Sequence, residues 1–72
     1  TDIDKHVGKR LKLMRLAAGI SPHYLAAKLK VKPSILQRWE DGEIRIRAPD
    51  LFRLTIFLDC DIEDIYGGFE NL

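Results

Sequence analysis

The sequence predicts an all-α domain built from five short helices. Apolar residues recur three or four positions apart along most of the chain, which is the periodicity of helices with one buried face. Residues typical of helix ends, such as Gly19, Gly42 and Asp61, divide this pattern into short segments. The 72 residues, 46% hydrophobic and 32% charged, suit one globular domain. We therefore expect residues 1–72 to form a single domain, either complete or part of a longer chain.

The first two helices have clear predicted boundaries. Asp4 lies near the start of the first, where its charge complements the helix dipole, and Gly19 is a natural stop. The apolar face of this helix consists of Val7, Leu11, Met14 and Ala18. Ser21 is expected to cap a second helix with Pro22 at its first position, where the missing N–H costs little. This helix is expected to end near Lys30. Its apolar stripe consists of Leu25, Ala26 and Leu29.

A third helix is predicted to begin at Pro33 and to be closed by Gly42. Leu36 and Trp39 are three positions apart and face inward, so Trp39 is interpreted as a core residue rather than a platform for base stacking. The next segment, Glu43–Arg47, alternates isoleucine and arginine as a strand can. Because it is only five residues long and lies between two helix signals, a loop is the better interpretation.

The link between the second and third helices is only about three residues long, Lys30–Lys32. So short a link forces a steep crossing rather than an antiparallel hairpin, which is the geometry of a helix-turn-helix motif. Ala26 is small where the two helices would meet, and Val31 and Leu36 are apolar where the turn must be anchored. On spacing alone, this motif competes with an ordinary helical corner of a small α domain.

Two further helices complete the predicted fold. Pro49 is expected to start the fourth, and Asp61 to cap a short fifth helix that ends at Gly67–Gly68. Leu51, Leu54 and Leu58 fill the core side of the fourth helix, and the fifth holds Ile62, Ile65 and Tyr66. None of the five helices is long enough for an elongated bundle, so they must pack as a compact globule.

The net charge of +1 hides an uneven distribution along the chain. Residues 1–47 carry eleven Lys and Arg against five Asp and Glu, a net of +6. Residues 48–72 carry one Arg against six Asp and Glu, a net of −5. This division indicates either two differently solvated surfaces, or a basic face for phosphate with an acidic end turned away from it. Charge alone does not choose between them.

The sequence gives little support for catalysis or a bound cofactor. Cys60 is the only cysteine, which excludes an internal disulfide and a spaced metal cluster and suits a reducing cytoplasm. His6 and His23 belong to no spaced ligand set, and neither a nucleophile motif nor a phosphate-cradling glycine loop occurs. A leader peptide and a long apolar run are also missing. We therefore expect a cytoplasmic protein with no enzyme activity, metal, cofactor, small-molecule substrate or membrane span.

Beyond these patterns, the chain resembles the lambda-repressor-like (Cro/Xre-type) helix-turn-helix family over residues 6–66. The matching stretches are Val7–Leu11, Arg15, Gly19–Ser21, Leu25–Ala26, Leu29, Val31, Arg38–Glu40, Gly42, Leu51, Leu54 and Leu58–Asp59. The resemblance implies a compact five-helix DNA-binding domain whose helix-turn-helix is formed by helices two and three. It also implies a bacterial or phage transcription regulator, or the DNA-binding part of an antitoxin, that dimerises on a two-fold operator.

The resemblance assigns roles to individual residues. It places a recognition helix, 33–41, in the major groove of double-stranded DNA. The expected base contacts are Lys32, Ser34, Gln37 and Arg38. The expected phosphate contacts are Ser21, Lys28, Lys30, Arg45 and Arg47. Arg15 and Glu40 stand where the family pairs the first helix with the end of the third, so a structural ion pair is expected. Ile35 is either a contact for a thymine methyl group or partly core.

Several positions depart from the family pattern. Pro22 and Pro33 replace glutamines that commonly reach phosphate and base, and Lys30 replaces the glycine of the turn. Asp41 and Glu43 stand where basic or amide residues often approach phosphate. These changes are expected to weaken DNA binding. They motivate an alternative function, in which the same fold serves as a protein-interaction module.

The acidic C-terminal third carries a candidate partner surface. Phe52 and Ile56 lie four positions apart, Cys60 extends the row, and Tyr66 and Phe69 could enlarge it. An apolar strip on a small domain suggests contact with a second copy or with a different partner protein. The alternative is that the final residues of the chain fold back and cover the strip.

Overall fold

The computed structural model describes residues 1–68, which form five α-helices. Their bounds are α1 Asp2–Ala17, α2 Pro22–Leu29, α3 Pro33–Glu40, α4 Ala48–Phe57 and α5 Ile62–Tyr66. The predicted all-α fold is therefore confirmed, and Glu43–Arg47 lies in the loop between α3 and α4.

Side-chain capping explains where α1, α2 and α5 begin. The Ser21 hydroxyl accepts a hydrogen bond of 3.1 Å from the Tyr24 N–H, as expected of an N-cap. Asp61 and Asp64 form a reciprocal capping box at the start of α5. The Thr1 hydroxyl caps α1 by accepting from the Asp4 N–H at 3.2 Å. Because α1 ends at Ala17, the prediction that Ala18 belongs to its buried face is wrong, and that residue is exposed.

The turn between α2 and α3 is tight and left-handed. Lys30 adopts φ 59° and ψ 40°, the conformation that glycine favours at the end of a helix. The Val31 N–H then donates to the Ala26 carbonyl at 3.0 Å, closing the turn. A left-handed lysine costs about 1 kcal/mol relative to glycine, which the hydrogen bonds and the packing of Val31 must offset.

One hydrophobic core joins all five helices. Its buried members are Val7, Leu11, Leu25, Ala26, Leu29, Leu36, Trp39, Ile46, Leu51, Leu54 and Ile65. Trp39 is only 3% exposed, so its assignment to the core is confirmed. Ile46 belongs to the α3–α4 loop, in which isoleucine and arginine alternate. Ile46 is buried in the core, whereas its neighbours Arg45 and Arg47 are exposed, which accounts for this alternation. Leu58, predicted on the core side, is half-buried and packs against this core from the C-terminal end of α4. Ile62, at the start of α5, is 50% exposed.

Candidate nucleic-acid interface

Helix α3 presents one polar face away from the core. Leu36, Trp39 and Glu40 are buried, which turns the opposite side of the helix to solvent. The polar residues on that exposed side are Ser34, Gln37, Arg38 and Asp41. Lys32, the N-cap residue of α3, is exposed as well. The helix therefore displays all four of the expected base-contacting residues on its surface.

Two of these residues are hydrogen-bonded to carboxylates at the C-terminal end of α3. The Gln37 side-chain amide donates to both carboxylate oxygens of Asp41, at 3.1 and 3.2 Å. The Arg38 Nε donates to Glu43 Oε2 at 3.3 Å, and both side chains are about half exposed. The acids that depart from the family pattern thus contact the same side chains that were expected to reach bases.

The expected phosphate contacts differ in their surroundings. The Ser21 hydroxyl already accepts a hydrogen bond from the Tyr24 N–H as the cap of α2. The Lys28 ammonium lies 5.3 Å from the centroid of the Tyr24 ring, within the range of a cation–π interaction. Arg45 donates to the Asp4 carboxylate at 2.8 Å, and this hydrogen bond lowers the pKa of Asp4. Arg47 donates to Asp50 at 3.1 Å. The arginines of this surface therefore carry carboxylate partners, whereas Lys30 is exposed in its turn.

A shallow groove lies between α3 and the loop that follows it. Its residues are Val31, Lys32, Ile35, Trp39, Ile44, Arg45, Arg47 and Asp50. The floor is largely apolar, and Ile35 is half-buried in it. Lys32 from α3 and the two loop arginines place three cationic side chains around one groove. Cations that are distant in sequence are thereby brought beside α3, which sequence reasoning alone did not show.

The C-terminal end of α3 is fixed to α1 by a buried ion pair. Arg15 Nε donates to Glu40 Oε2 at 2.7 Å, and Nη2 donates to Oε1 at 3.2 Å. The Arg15 and Glu40 side chains are only 7% and 2% exposed. A third bond runs from Arg15 Nη1 to the Ile20 carbonyl at 3.0 Å. This bidentate arrangement joins α1, the α1–α2 turn and the C-terminal end of α3.

Two structural residues near this interface were missed by sequence reasoning. A Cβ at Gly8 would lie 2.2 Å from the Trp39 carbonyl oxygen and 2.7 Å from that of Glu40, so α1 and α3 touch backbone to backbone. A glycine in the interior of a predicted helix is the signal that could have revealed this contact. Asp50 is 1% exposed and accepts hydrogen bonds from Arg47 and Arg53. No periodicity distinguishes this buried acid from an exposed one.

The proposed partner surface is only partly assembled. Phe52 and Ile56 are 64% and 65% exposed on α4, on the side opposite its buried residues. Cys60 does not extend their row, because α4 ends at Phe57 and Asp59 turns the chain with φ 52°. Tyr66 is half-buried and packs against the core. Phe69 lies outside the described residues, as do the other final residues that were considered as a cover for the strip.

Within residues 1–68, His, Cys, Asp and Glu side chains form no group of three that could hold a metal ion. None of the helices in that range is long and apolar enough to cross a bilayer.

Burial raises the pKa of the Cys60 thiol, which keeps it protonated near neutral pH. His6 Nε2 lies 2.9 Å from the Gly67 carbonyl oxygen, a contact that ties α1 to the end of α5.

Comparison with known proteins identifies the family of this chain. A family model described as helix-turn-helix matches residues 11–65. An uncharacterised HTH-type transcriptional regulator of Rickettsia conorii is 33% identical over 69 residues, which cover 96% of this chain and 55% of that protein. Another, from Rickettsia prowazekii, is 32% identical over 69 residues, covering 96% of this chain and 53% of that protein. The chain thus spans about half the length of these curated relatives, and no solved structure matches it. The chain belongs to the lambda-repressor-like, Cro/C1-type helix-turn-helix family.

Proposed function

We propose that this chain is the DNA-binding unit of a bacterial transcription regulator and that residues 33–41 enter the major groove of duplex DNA. The observation that carries the proposal is the exposed polar face of α3, with Gln37 and Arg38 opposite the buried Leu36 and Trp39. An arginine suits guanine and a glutamine suits adenine in that groove. Named transcriptional regulators among the relatives support the same function.

The charges around α3 suit a polyanion. Lys32, Arg45 and Arg47 line one groove beside the recognition helix, and Lys30 lies in the turn that precedes it. Ser21 stands at the N-terminus of α2, where the first N–H groups of a helix favour an anion. These residues are the proposed phosphate contacts, together with Lys28. The acidic residues of 48–72 would repel DNA, so that part of the chain is expected to face away from it.

The experiment that tests this function is a titration of the protein against duplex DNA at several salt concentrations. Selection from a randomised pool supplies a preferred duplex, and a scrambled duplex supplies the reference. Arg38→Ala is expected to weaken binding to the preferred duplex by about 1–3 kcal/mol and to relax the preference at one base position. Lys30→Ala is expected to weaken binding to both duplexes by the same factor. It should also reduce the slope of log affinity against log salt concentration by about one. The assigned roles are wrong if both variants lose the same affinity on both duplexes.

We further propose that two copies associate through the outer face of α4. Phe52 and Ile56 form an apolar strip there that the described residues leave uncovered. A two-fold dimer must place its recognition helices on one face of DNA about 34 Å apart, with the joining surface between them. The acidic character of 48–72 makes a basic hetero-partner the competing arrangement.

Ile56→Asp is expected to abolish this self-association, because it puts a charge at the centre of an apolar contact. Sedimentation at micromolar concentration, with and without DNA, measures the effect. Leu13→Asp is the matched control, since Leu13 is an exposed apolar residue on α1 with 51% exposure. If both variants sediment like the parent and bind DNA with unchanged cooperativity, the interface lies elsewhere.

A protein-interaction module with weak DNA affinity is the second candidate function. The observation that favours it is that Arg38, Arg45 and Arg47 are each paired with a carboxylate. Pairing reduces the positive charge that these arginines can offer to phosphate. The salt titration separates the two functions, because a module of this kind would show neither a steep salt slope nor a preferred duplex.

A further inference from the structure

We propose that Asp41 and Glu43 determine the specificity of the recognition helix: they hold Gln37 and Arg38 for base contact and disfavour binding to unrelated DNA. This inference rests on the proposed DNA-binding function. It concerns two acids that the family pattern does not predict, and it starts from the hydrogen bonds that they accept on the exposed side of α3.

The Arg38 contact leaves the reading edge of the guanidinium available. Glu43 accepts from Nε at 3.3 Å, and within residues 1–68 no group accepts a hydrogen bond from the two terminal nitrogens. A guanidinium can pair bidentately with guanine through such a pair of N–H groups. A phosphate, by contrast, must compete with the Glu43 carboxylate for the charge of Arg38. The carboxylate therefore positions Arg38 for a base while reducing its attraction to the backbone.

The Gln37 contact fixes the direction of a side-chain amide. Asp41 accepts from Nε2 at 3.1 and 3.2 Å, which directs the nitrogen towards the C-terminal end of α3. One N–H of that amide and the carbonyl Oε1 remain for a base. Adenine needs one donor and one acceptor in the major groove, so the held orientation still matches it. Holding the amide in advance also reduces the side-chain entropy lost on binding.

The same two carboxylates oppose binding to any stretch of phosphate. Both are exposed at the end of the helix that would lie in the groove, where the DNA field is negative. The two carboxylates repel the phosphates of DNA of any sequence. The hydrogen bonds to bases that offset this repulsion form only on DNA of the preferred sequence. Specificity arises in this way when a repulsive element penalises the wrong partner more than the right one. Exposed pairs such as Arg38–Glu43 contribute little to folding, so a structural role does not account for them.

The test compares two double variants with the same change of net charge. Asp41→Asn/Glu43→Gln removes both acids beside α3 and keeps their hydrogen-bonding shape. Asp59→Asn/Glu63→Gln removes two exposed acids near the start of α5 and is the matched control. The probes are a duplex selected from a randomised pool by the wild-type protein and a scrambled duplex of the same composition. Affinity is measured for both duplexes over a range of salt concentrations.

The α3 variant is expected to bind the scrambled duplex about tenfold more tightly than the wild type. The slope of its log affinity against log salt concentration should be steeper by about one, because Arg38 is then available to contact a phosphate. Its gain on the selected duplex is expected to be smaller, so discrimination falls. The matched control is expected to change either affinity by less than about twofold, because its two acids belong to α5 and the turn before it and accept no hydrogen bond from Gln37 or Arg38. Equal gains on both duplexes, or gains no larger than those of the control, overturn the inference. If neither the wild type nor the α3 variant binds either duplex in a salt-dependent way, the proposed function fails as well.

Discussion

Replacement of Glu40 by alanine is expected to lower the free energy of unfolding by about 3–5 kcal/mol, because it strands the buried Arg15 guanidinium without its partner. The cost comes from desolvation rather than from the attraction itself. In the parent, Arg15 makes two hydrogen bonds to Glu40 and one to the Ile20 carbonyl, which together replace the water that burial removes. A single-core domain of 72 residues has only a few kcal/mol to lose, so this variant should be largely unfolded at 25 °C.

Urea unfolding followed by far-ultraviolet circular dichroism measures the loss. Glu43→Ala is the matched control, because Glu43 also pairs with an arginine but is 58% exposed, and its removal should cost less than about 1 kcal/mol. The double variant Arg15→Met/Glu40→Leu should recover most of the stability, since it removes both buried charges and fills the space with apolar atoms. The argument is wrong if Glu40→Ala unfolds at the same urea concentration as Glu43→Ala.

Much of the fold could be predicted because its determinants are local. Ser21 and Asp61 cap helices through neighbours three residues ahead, and such spacing is legible in the sequence. The core followed from helical periodicity, including the inward position of Trp39. Errors fell at helix ends, where Ala18 and Cys60 continued an apparent pattern after the helix had stopped. One residue of difference in a boundary moves a side chain to another face.

The candidate interface could be predicted less completely, because its geometry depends on contacts between residues of different elements. Arg38, Gln37 and Lys32 were named from the family pattern, and the structure places all three on the surface of α3 or at its start. The carboxylate partners of Gln37 and Arg38 were not foreseen. Asp41 and Glu43 were identified only as charges unfavourable to phosphate, since sequence shows which acids are present but not which donors they accept from.

The pairing of loop arginines with acids on other helices also required the structure. Arg45 contacts Asp4, forty-one positions away, and no local rule connects them. Asp50 differs, because its partners Arg47 and Arg53 lie three positions before and after it and only its burial depends on the packing of α4. The sequence thus indicates the sign of each charge, and the packing of the helices decides how deeply it is buried and which distant groups it meets.

Gly8→Ala is expected to destabilise the domain by about 3 kcal/mol, even though alanine is the better helix former by about 1 kcal/mol. The added Cβ would lie 2.2 Å from the Trp39 carbonyl oxygen and 2.7 Å from the Glu40 carbonyl oxygen, and neither backbone atom can move without shifting α3. Because Gly8 and Arg15 both contact the end of α3, a shift there would also lengthen the buried ion pair. Helix α3 should then lose its fixed position relative to α2 as well as its stability.

Thermal and urea unfolding of Gly8→Ala measure the first effect. Gly19→Ala is the control, since a Cβ at Gly19 meets nothing within 4 Å and only its φ of +72° opposes the substitution. That control should cost about 1 kcal/mol, the usual penalty for a left-handed alanine. At temperatures where Gly8→Ala is still folded, its binding to the selected duplex should weaken more than its binding to the scrambled duplex. Base contacts require an exact position of α3, whereas phosphate contacts tolerate small shifts of the helix. A Gly8→Ala variant as stable as the parent would show that α1 and α3 do not approach as closely as their backbones indicate.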